Sequence, residues 1–306
     1  YLTPYRRLFM TSAVAAPDSS TTTLYINKRQ YTFNTYDISI LKYLHESKVL
    51  VTKQVAKKFH DTSRQFTSSV RLVTRYLQKL HKHKLIDVSV KRFIGGQEKG
   101  STSTIWSISK LGFLALKQIQ REKGDDSLLR PYKKLKPHYI KHQLAVNEIN
   151  LYFQLIAMKN THLKLDEVAI EEKSWRKYFS YQNRVETSLR PDLFVVTYRG
   201  DSKISWFVEV DLASESACRV VEKCKVYVDY FISVASDGDS KDIVPAVLWI
   251  VPTEKRRNIL TKHIAQNMPP AIQNQDIFIV ATLPELNGIV AHGIAGRQEE
   301  LTYDQL

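Results

Sequence analysis

Two short acidic motifs and one lysine are the residues of this sequence best suited to chemistry. Pro191-Asp192 leads into the apolar run Leu193-Phe194-Val195-Val196, and Trp206-Phe207-Val208-Glu209-Val210-Asp211 follows a turn around Gly200-Asp201. Both runs read as β-strands and together as a hairpin, so Asp192 and Glu209 can meet near its open end. The two-residue period puts Glu209 and Asp211 on one face, with Trp206, Val208 and Val210 on the other. Three carboxylates at one sheet end repel one another. A divalent cation with oxygen ligands relieves that repulsion, and Mg²⁺ or Mn²⁺ would there polarise a phosphodiester and activate water. Asp192, Glu209 and Asp211 are therefore the candidate metal ligands and catalytic acids. Lys223, on the next helix, is the candidate cation for a scissile phosphate. It shares a helix face with Tyr227 and Tyr230, and Lys225 is a second cation within reach. Glu171 and Glu172 are candidate supporting acids. The competing reading is structural: Asp192 and Asp211 close strand ends, and Glu209 pairs with a Lys or Arg.

The elements that must position these residues follow from periodicity. Strands are expected over 163–170, 190–198 and 205–211, a helix over 215–234, a strand over 246–252, a helix over 254–266 and a strand over 276–283. This order predicts an α/β domain with a central mixed sheet. An amphipathic helix over 138–158 precedes it. Cys218 and Cys224 fall in one helix at a spacing that suits neither a disulfide nor a zinc site, so both are expected as free thiols.

The charge changes with the architecture. Residues 1–160 hold 28 Lys and Arg against 10 Asp and Glu, a balance of +18, while 161–306 balance at −4. A basic half joined to a mildly acidic one predicts a module that meets a polyanion and a module with another task. In the basic half, a β-like stretch over 24–33 precedes a helix capped by Thr35 and a short helix capped by Thr52. A third helix follows over 65–82, then two alternating runs over 87–93 and 102–108 around a Gly-rich tip, then a helix from about Ser109. Three helices and a β-hairpin are the order of a winged helix-turn-helix. Its third helix buries Val70, Val73, Leu77 and Leu80 and turns Arg64, Ser68, Arg71, Thr74, Arg75 and Lys79 toward a major groove. Lys91, Arg92 and Lys99 of the wing reach the adjacent backbone. Arg71 and Arg75 lie one turn apart, and arginine can read guanine bidentately. A solvated helix face and a protein-binding winged helix are the alternatives.

The acidic motifs resemble the PD-(D/E)xK nuclease-like fold, with Pro191-Asp192 as the first part. Glu209-Val210-Asp211 departs from that pattern, because Asp211 stands where lysine is expected; Lys223 would substitute. A closer resemblance covers most of the chain. The winged helix, His142-Gln143-Leu144-Ala145-Val146-Asn147, Leu189-Arg190-Pro191-Asp192, Phe207-Val208-Glu209-Val210-Asp211, and Lys223 followed by Tyr227 and Tyr230 look like the replication-relaxation family. That resemblance implies a protein of plasmids and integrative conjugative elements that assists replication or DNA relaxation.

The expected organisation is a flexible segment over 1–23, a winged helix-turn-helix over 24–120, a basic linker over 121–137 and a nuclease-like α/β domain over 138–306. The expected partners are double-stranded DNA, replication or conjugation proteins and a second copy of the chain. A cytoplasmic, nucleoid- or plasmid-associated location follows, since no apolar run approaches the ~18 residues of a membrane span and no secretory signal is read. Tyr1 in place of Met leads us to expect a missing or processed N-terminus. The expected function is a DNA-binding accessory with an Mg²⁺- or Mn²⁺-dependent nicking domain or an inactive one. The rival is a non-enzymatic transcriptional regulator whose second domain dimerises or binds a partner.

Overall fold

Asn34 and Asp37 fix the start of the first helix. Asn34 Oδ1 accepts the Asp37 N–H at 2.8 Å and Asp37 Oδ2 accepts the Asn34 N–H at 3.0 Å, a reciprocal capping box. The cap thus sits one residue before the expected Thr35. The structure, a computed structural model, describes residues 21–26, 29–60, 63, 65–90, 104–122, 132–236, 244–269 and 277–292. It is mixed α/β, with eight α-helices among the described residues and a five-stranded mixed sheet. The chain divides into two units, Tyr1–Leu151 and Tyr152–Leu306.

In the first unit the expected β-like stretch is a hairpin. β1 (Thr21–Ile26) pairs antiparallel with β2 (Arg29–Asn34), with Ile26 opposite Arg29. Thr21–Thr23, expected in a flexible lead-in, thus belong to a strand. The order continues α1 (Thr35–Ser47), β3 (Leu50–Val51), α2 (Thr52–Lys58), α3 (Phe66–Lys82), β4 (Ile86–Val90), β5 (Ile105–Ile108) and α4 (Lys110–Glu122). β5 lies between β3 and β4, antiparallel to both. The expected tip between the alternating runs falls largely on 91–103, outside the described residues. Thr52 does not cap α2: its Oγ1 accepts the Trp106 indole N–H at 2.9 Å, while Gln54 Oε1 takes the N–H of the capping Val51 at 3.2 Å. One apolar core joins the hairpin to α1–α4 through Leu24, Phe33, Leu41, Leu44, Leu77 and Leu116. Gly112 permits the entry of α4, since a Cβ there would meet the Leu85 carbonyl oxygen at 2.1 Å.

Helix α5 (Pro137–Lys159) contains the point, after Leu151, at which the units divide. Its N-terminal part is bonded into the first unit rather than standing at the head of the second. The Asn147 amide donates to the carbonyls of Ser47 at 2.9 Å and Val49 at 2.7 Å, and Gln54 donates to the Leu144 carbonyl at 2.8 Å. Lys57 and Glu148 form an ion pair beside it. The Gln143 amide in turn donates to Asn147 Oδ1 at 3.3 Å, so both buried amides of the Gln143–Asn147 segment, which an amphipathic pattern does not explain, are bonded.

The second unit carries the five-stranded sheet. β6 (Leu163–Ile170), β9 (Leu193–Arg199) and β10 (Ser202–Val210) form an antiparallel meander, and α6 (Ala217–Ser236) crosses to β11 (Ala246–Val251), parallel to β10. Then α7 (Glu254–Asn267) leads to β12 (Phe278–Thr282), parallel to β11. A separate ribbon, β7 (Arg176–Phe179) with β8 (Glu186–Leu189), departs between β6 and β9. A short α8 (Leu286–His292) follows β12 and buries Leu286 and Val290. Neither the ribbon nor α8 was expected. β11 is buried on both faces, as a strand with parallel neighbours on each side must be.

Asn147→Ala would remove the side-chain donor of the buried Val49 carbonyl and one of the two donors of the Ser47 carbonyl, which keeps the Val49 N–H. The expected loss is about 1–3 kcal/mol, or roughly 3–9 °C in melting temperature. Thermal melts should show no comparable change for the exposed neighbour Lys141→Ala.

Candidate functional site

Helix α3 is amphipathic because its apolar residues recur at helical spacing. Ser69, Val73, Leu77 and Leu80 are buried, and Val70 packs partly buried beside them. At 100° per residue, Ser68, Arg71, Arg75, Gln78 and Lys82 form the opposite stripe, and all five are exposed. Among the described residues neither Arg71 nor Arg75 forms an ion pair. Thr74 is half-buried and its hydroxyl donates to the Val70 carbonyl at 2.7 Å. Lys79 is exposed but tied to the core edge: its ammonium lies 2.6 Å from Oδ2 of Asp37, which is fully buried, so its charge answers that of the capping box. Arg64, Lys91, Arg92 and Lys99 lie outside the described residues.

The acidic motifs sit at one end of β9 and β10. Asp192 directly precedes β9, and its Oδ2 accepts the Val210 N–H at 2.8 Å, extending the β9–β10 ladder by a side chain. Its carbonyl accepts the Glu171 N–H at 3.0 Å, so the turn carrying Glu171 and Glu172 adjoins it. Strand alternation puts Glu209 on the face that holds Phe207, against α6, where Phe207 packs on Tyr227 and Phe231. Glu209 is 1% exposed. One carboxylate oxygen accepts the Tyr227 hydroxyl and the other the Lys223 ammonium, each at 2.5 Å. Lys223 and Tyr227 are one turn apart on α6, so one helix face supplies both donors. Tyr230, on the same face, packs on Phe207 and Tyr178 instead. Lys225 pairs with Glu222 at 2.8 Å on the surface.

Asp211 belongs to a different cation. Arg256 of α7 approaches its carboxylate with Nε at 2.6 Å and Nη2 at 3.2 Å, and the Ala213 N–H adds 3.1 Å. The structure therefore brings Asp192, Glu209 and Lys223 together and turns Asp211 to Arg256. Sequence reasoning missed Arg256, although a signal existed. Thr253 caps α7, which places an arginine in the first turn, where the helix dipole disfavours a cation unless a specific carboxylate holds it.

Burial pushes the Glu209 carboxyl up to about 8; Lys223 pulls it down and the nearby Asp192 charge adds to the rise. Burial pulls the Lys223 ammonium down, but Glu209 and Asp192 outweigh it and hold the group above its ordinary value. Burial likewise raises the Cys224 thiol to about 12, and both cysteines are free.

The donor set does not fit a divalent ion in this arrangement. Both oxygens of Glu209 and both of Asp211 already accept from cationic, hydroxyl or amide donors. Among the described residues no group of three or more His, Cys, Asp or Glu side chains is placed to hold one metal. When Glu209 is ionised, the Lys223 ammonium already supplies the positive charge that a metal would supply.

The raised Glu209 pKa has a stability consequence. The folded chain keeps a proton that the unfolded chain releases near 4.5, so this stabilisation is complete below that pH and is lost as pH rises through about 8. The slope is at most about 1.4 kcal/mol per pH unit. Melting temperature measured between these limits should fall with pH more steeply in the wild type than in Glu209→Gln; equal slopes would refute the assignment.

Among the described residues no helix is long and apolar enough to cross a membrane. No curated protein and no solved structure matches the chain. Residues 41–244 match the replication-relaxation family. That span runs from within α1 to the approach of β11 and includes the α3 stripe, the amides of α5, Asp192, Glu209, Lys223 and Tyr227, but not Arg256. On this match the chain belongs to the replication-relaxation family.

Proposed function

We propose that this protein is a DNA-binding accessory of plasmid or mobile-element replication that docks on duplex DNA through its first unit. In this reading α1–α3 with β3–β5 act as a winged helix-turn-helix and α3 enters the major groove. The observation that carries it is the exposed stripe of Ser68, Arg71, Arg75, Gln78 and Lys82, set opposite the buried face of the same helix. The two arginines are unpaired among the described residues, so they can meet phosphate or guanine without breaking an ion pair. The +18 balance of residues 1–160 and membership of the replication-relaxation family support the same reading.

We read the second unit as a nuclease-like α/β domain that serves as a platform and does not cleave. The antiparallel β6–β9–β10 meander, the α6 crossover and the parallel β11 support the fold assignment. The pairing of Glu209 with Lys223 and Tyr227, and of Asp211 with Arg256, supports the loss of cleavage. Nicking with Mg²⁺ or Mn²⁺ would require both cations to leave their carboxylates. A second copy of the chain and replication or conjugation proteins are the partners such a platform suits.

Duplex binding and plasmid nicking test both parts. Arg71→Ala with Arg75→Ala should cost about 2–6 kcal/mol of specific binding, roughly thirty-fold or more in Kd. Wild-type affinity should also fall steeply with salt. Retained site preference in the double variant would remove α3 as the reader. Supercoiled plasmid carrying the element's origin region, incubated with Mg²⁺ or Mn²⁺, should stay supercoiled with wild type and with Glu209→Gln. Open circles from wild type alone would establish a nickase and overturn the platform reading.

A further inference from the structure

The β7–β8 ribbon exposes aromatic rings that no core requires. Trp175 is 39% exposed, Phe179 55% and Tyr181 51%. Alternation along β7 explains the pattern. Arg176 and Tyr178 face inward, where Arg176 lies over the Phe194 ring and Tyr178 packs on Tyr230. Lys177 and Phe179 take the outward positions of β7, about 6.6–6.8 Å apart along the strand, with Trp175 just before it and Tyr181 in the turn that follows, both exposed. Arg190 lies 4.8 Å over Trp175, and Arg184 lies 4.9 Å over Tyr181. Each end of the row is thus an exposed ring capped by a guanidinium.

Charge and rigidity distinguish this row from a chance apolar patch. The second half of the chain is net negative, yet residues 173–190 hold Lys173, Arg176, Lys177, Arg184 and Arg190 against Glu186 alone. The ribbon is also held in place from behind. The Tyr178 hydroxyl and the Gln182 N–H donate to the two carboxylate oxygens of Asp229 at 3.0 and 3.1 Å, and the Tyr181 N–H donates to Ser233 Oγ at 2.8 Å. Both acceptors are buried on α6. The outward rings therefore stand on a fixed support, so little further ordering is needed to use them.

We infer that the outer face of the β7–β8 ribbon, with Trp175, Lys177, Phe179, Tyr181, Arg184 and Arg190, binds single-stranded DNA. Neighbouring exposed rings stack unpaired bases, and interleaved cations track the phosphates. A duplex offers no base faces to such a row. Single strands arise wherever an origin is melted or a strand is displaced, so the inference extends the proposed DNA role to a second substrate form. It rests on different residues and can fail independently.

The test titrates the full-length protein with a dye-labelled oligothymidylate and with a duplex of matched length, reading anisotropy and intrinsic tryptophan fluorescence. The chain has four tryptophans, and Trp106, Trp206 and Trp249 are buried, which leaves Trp175 as the exposed reporter. Oligothymidylate should quench it. Trp175→Ala with Phe179→Ala should raise the oligothymidylate Kd by roughly ten- to a thousand-fold and leave the duplex Kd unchanged. Trp175→Phe, which keeps a stacking ring and controls for folding, should lose much less. No oligothymidylate binding by wild type, no change in the double variant, or parallel losses on both DNAs would overturn the inference. So would a double variant with normal DNA binding and altered sedimentation, which would make the ribbon a protein contact. Arg71→Ala with Arg75→Ala should do the reverse, weakening the duplex and sparing oligothymidylate. Wild type that binds oligothymidylate but not the duplex would sink duplex docking and leave the ribbon's role intact.

Discussion

A carboxylate buried on the central strand is the constraint around which the second unit is arranged. Glu209 lies within the sheet, between β9 and β11, and water cannot solvate it. An uncompensated buried charge is costly, so the fold must bring donors to it. Lys223 and Tyr227 do this from one face of α6, which fixes that helix in rotation as well as position. A slip of one residue would turn the face by about 100° and withdraw both donors. Because α6 is fixed, Asp229 and Ser233 on it are fixed as well, and they anchor the β7–β8 ribbon. Asp211 does the same for α7 through Arg256. The acids that look catalytic in sequence thus also set how the helices lie on the sheet.

The first unit uses the same device at a helix start. Asp37 is buried, caps α1 and takes the Lys79 ammonium from α3, so one carboxylate ties the two helices together. This explains why Lys79 departs from the stripe formed by Arg71, Arg75 and Lys82. The apolar face of α3 is committed to the core and Lys79 to Asp37, which sets the rotation of the helix and leaves the two arginines facing outward.

Much of this was legible in the sequence where the signal is local. The strict apolar spacing of α3 locates its buried face, and the two-residue alternation of Trp206–Asp211 correctly puts Glu209 and Asp211 on one side of the strand. The mixed α/β class follows from the element order. Partners remote in sequence were not legible. Arg256 is 45 residues beyond Asp211, and nothing in strand or helix periodicity links them. The ribbon was missed because its strands are only four residues long and, Leu189 apart, its inward positions Arg176 and Tyr178 are polar or charged, held by hydrogen bonds and ring contacts rather than by an apolar stripe. Helix starts moved by one residue because neighbouring residues compete as caps: Asn34 precedes Thr35, and Asp37 is spaced to reciprocate with Asn34. The amides of α5 were visible as a motif, but their role depends on the carbonyls at the end of α1, which no local pattern indicates.

Where a polyanion can bind depends less on how many cations the chain has than on what already holds them. Lys223, Arg256 and Arg257 in the second unit are all bound to carboxylates, so a phosphate must displace an internal partner to reach them. Arg71 and Arg75 carry no such partner among the described residues. Arg184 and Arg190 stand between these cases, because each lies over an aromatic face. An exposed cation–π contact is worth only about 0.5–1 kcal/mol, and it keeps the guanidinium edge available to a phosphate. An arginine stacked in this way can engage a phosphate without giving up its ring. Among the described residues the α3 stripe and the ribbon are therefore electrostatically open, while the most conspicuous acidic motif is closed by its own lysine.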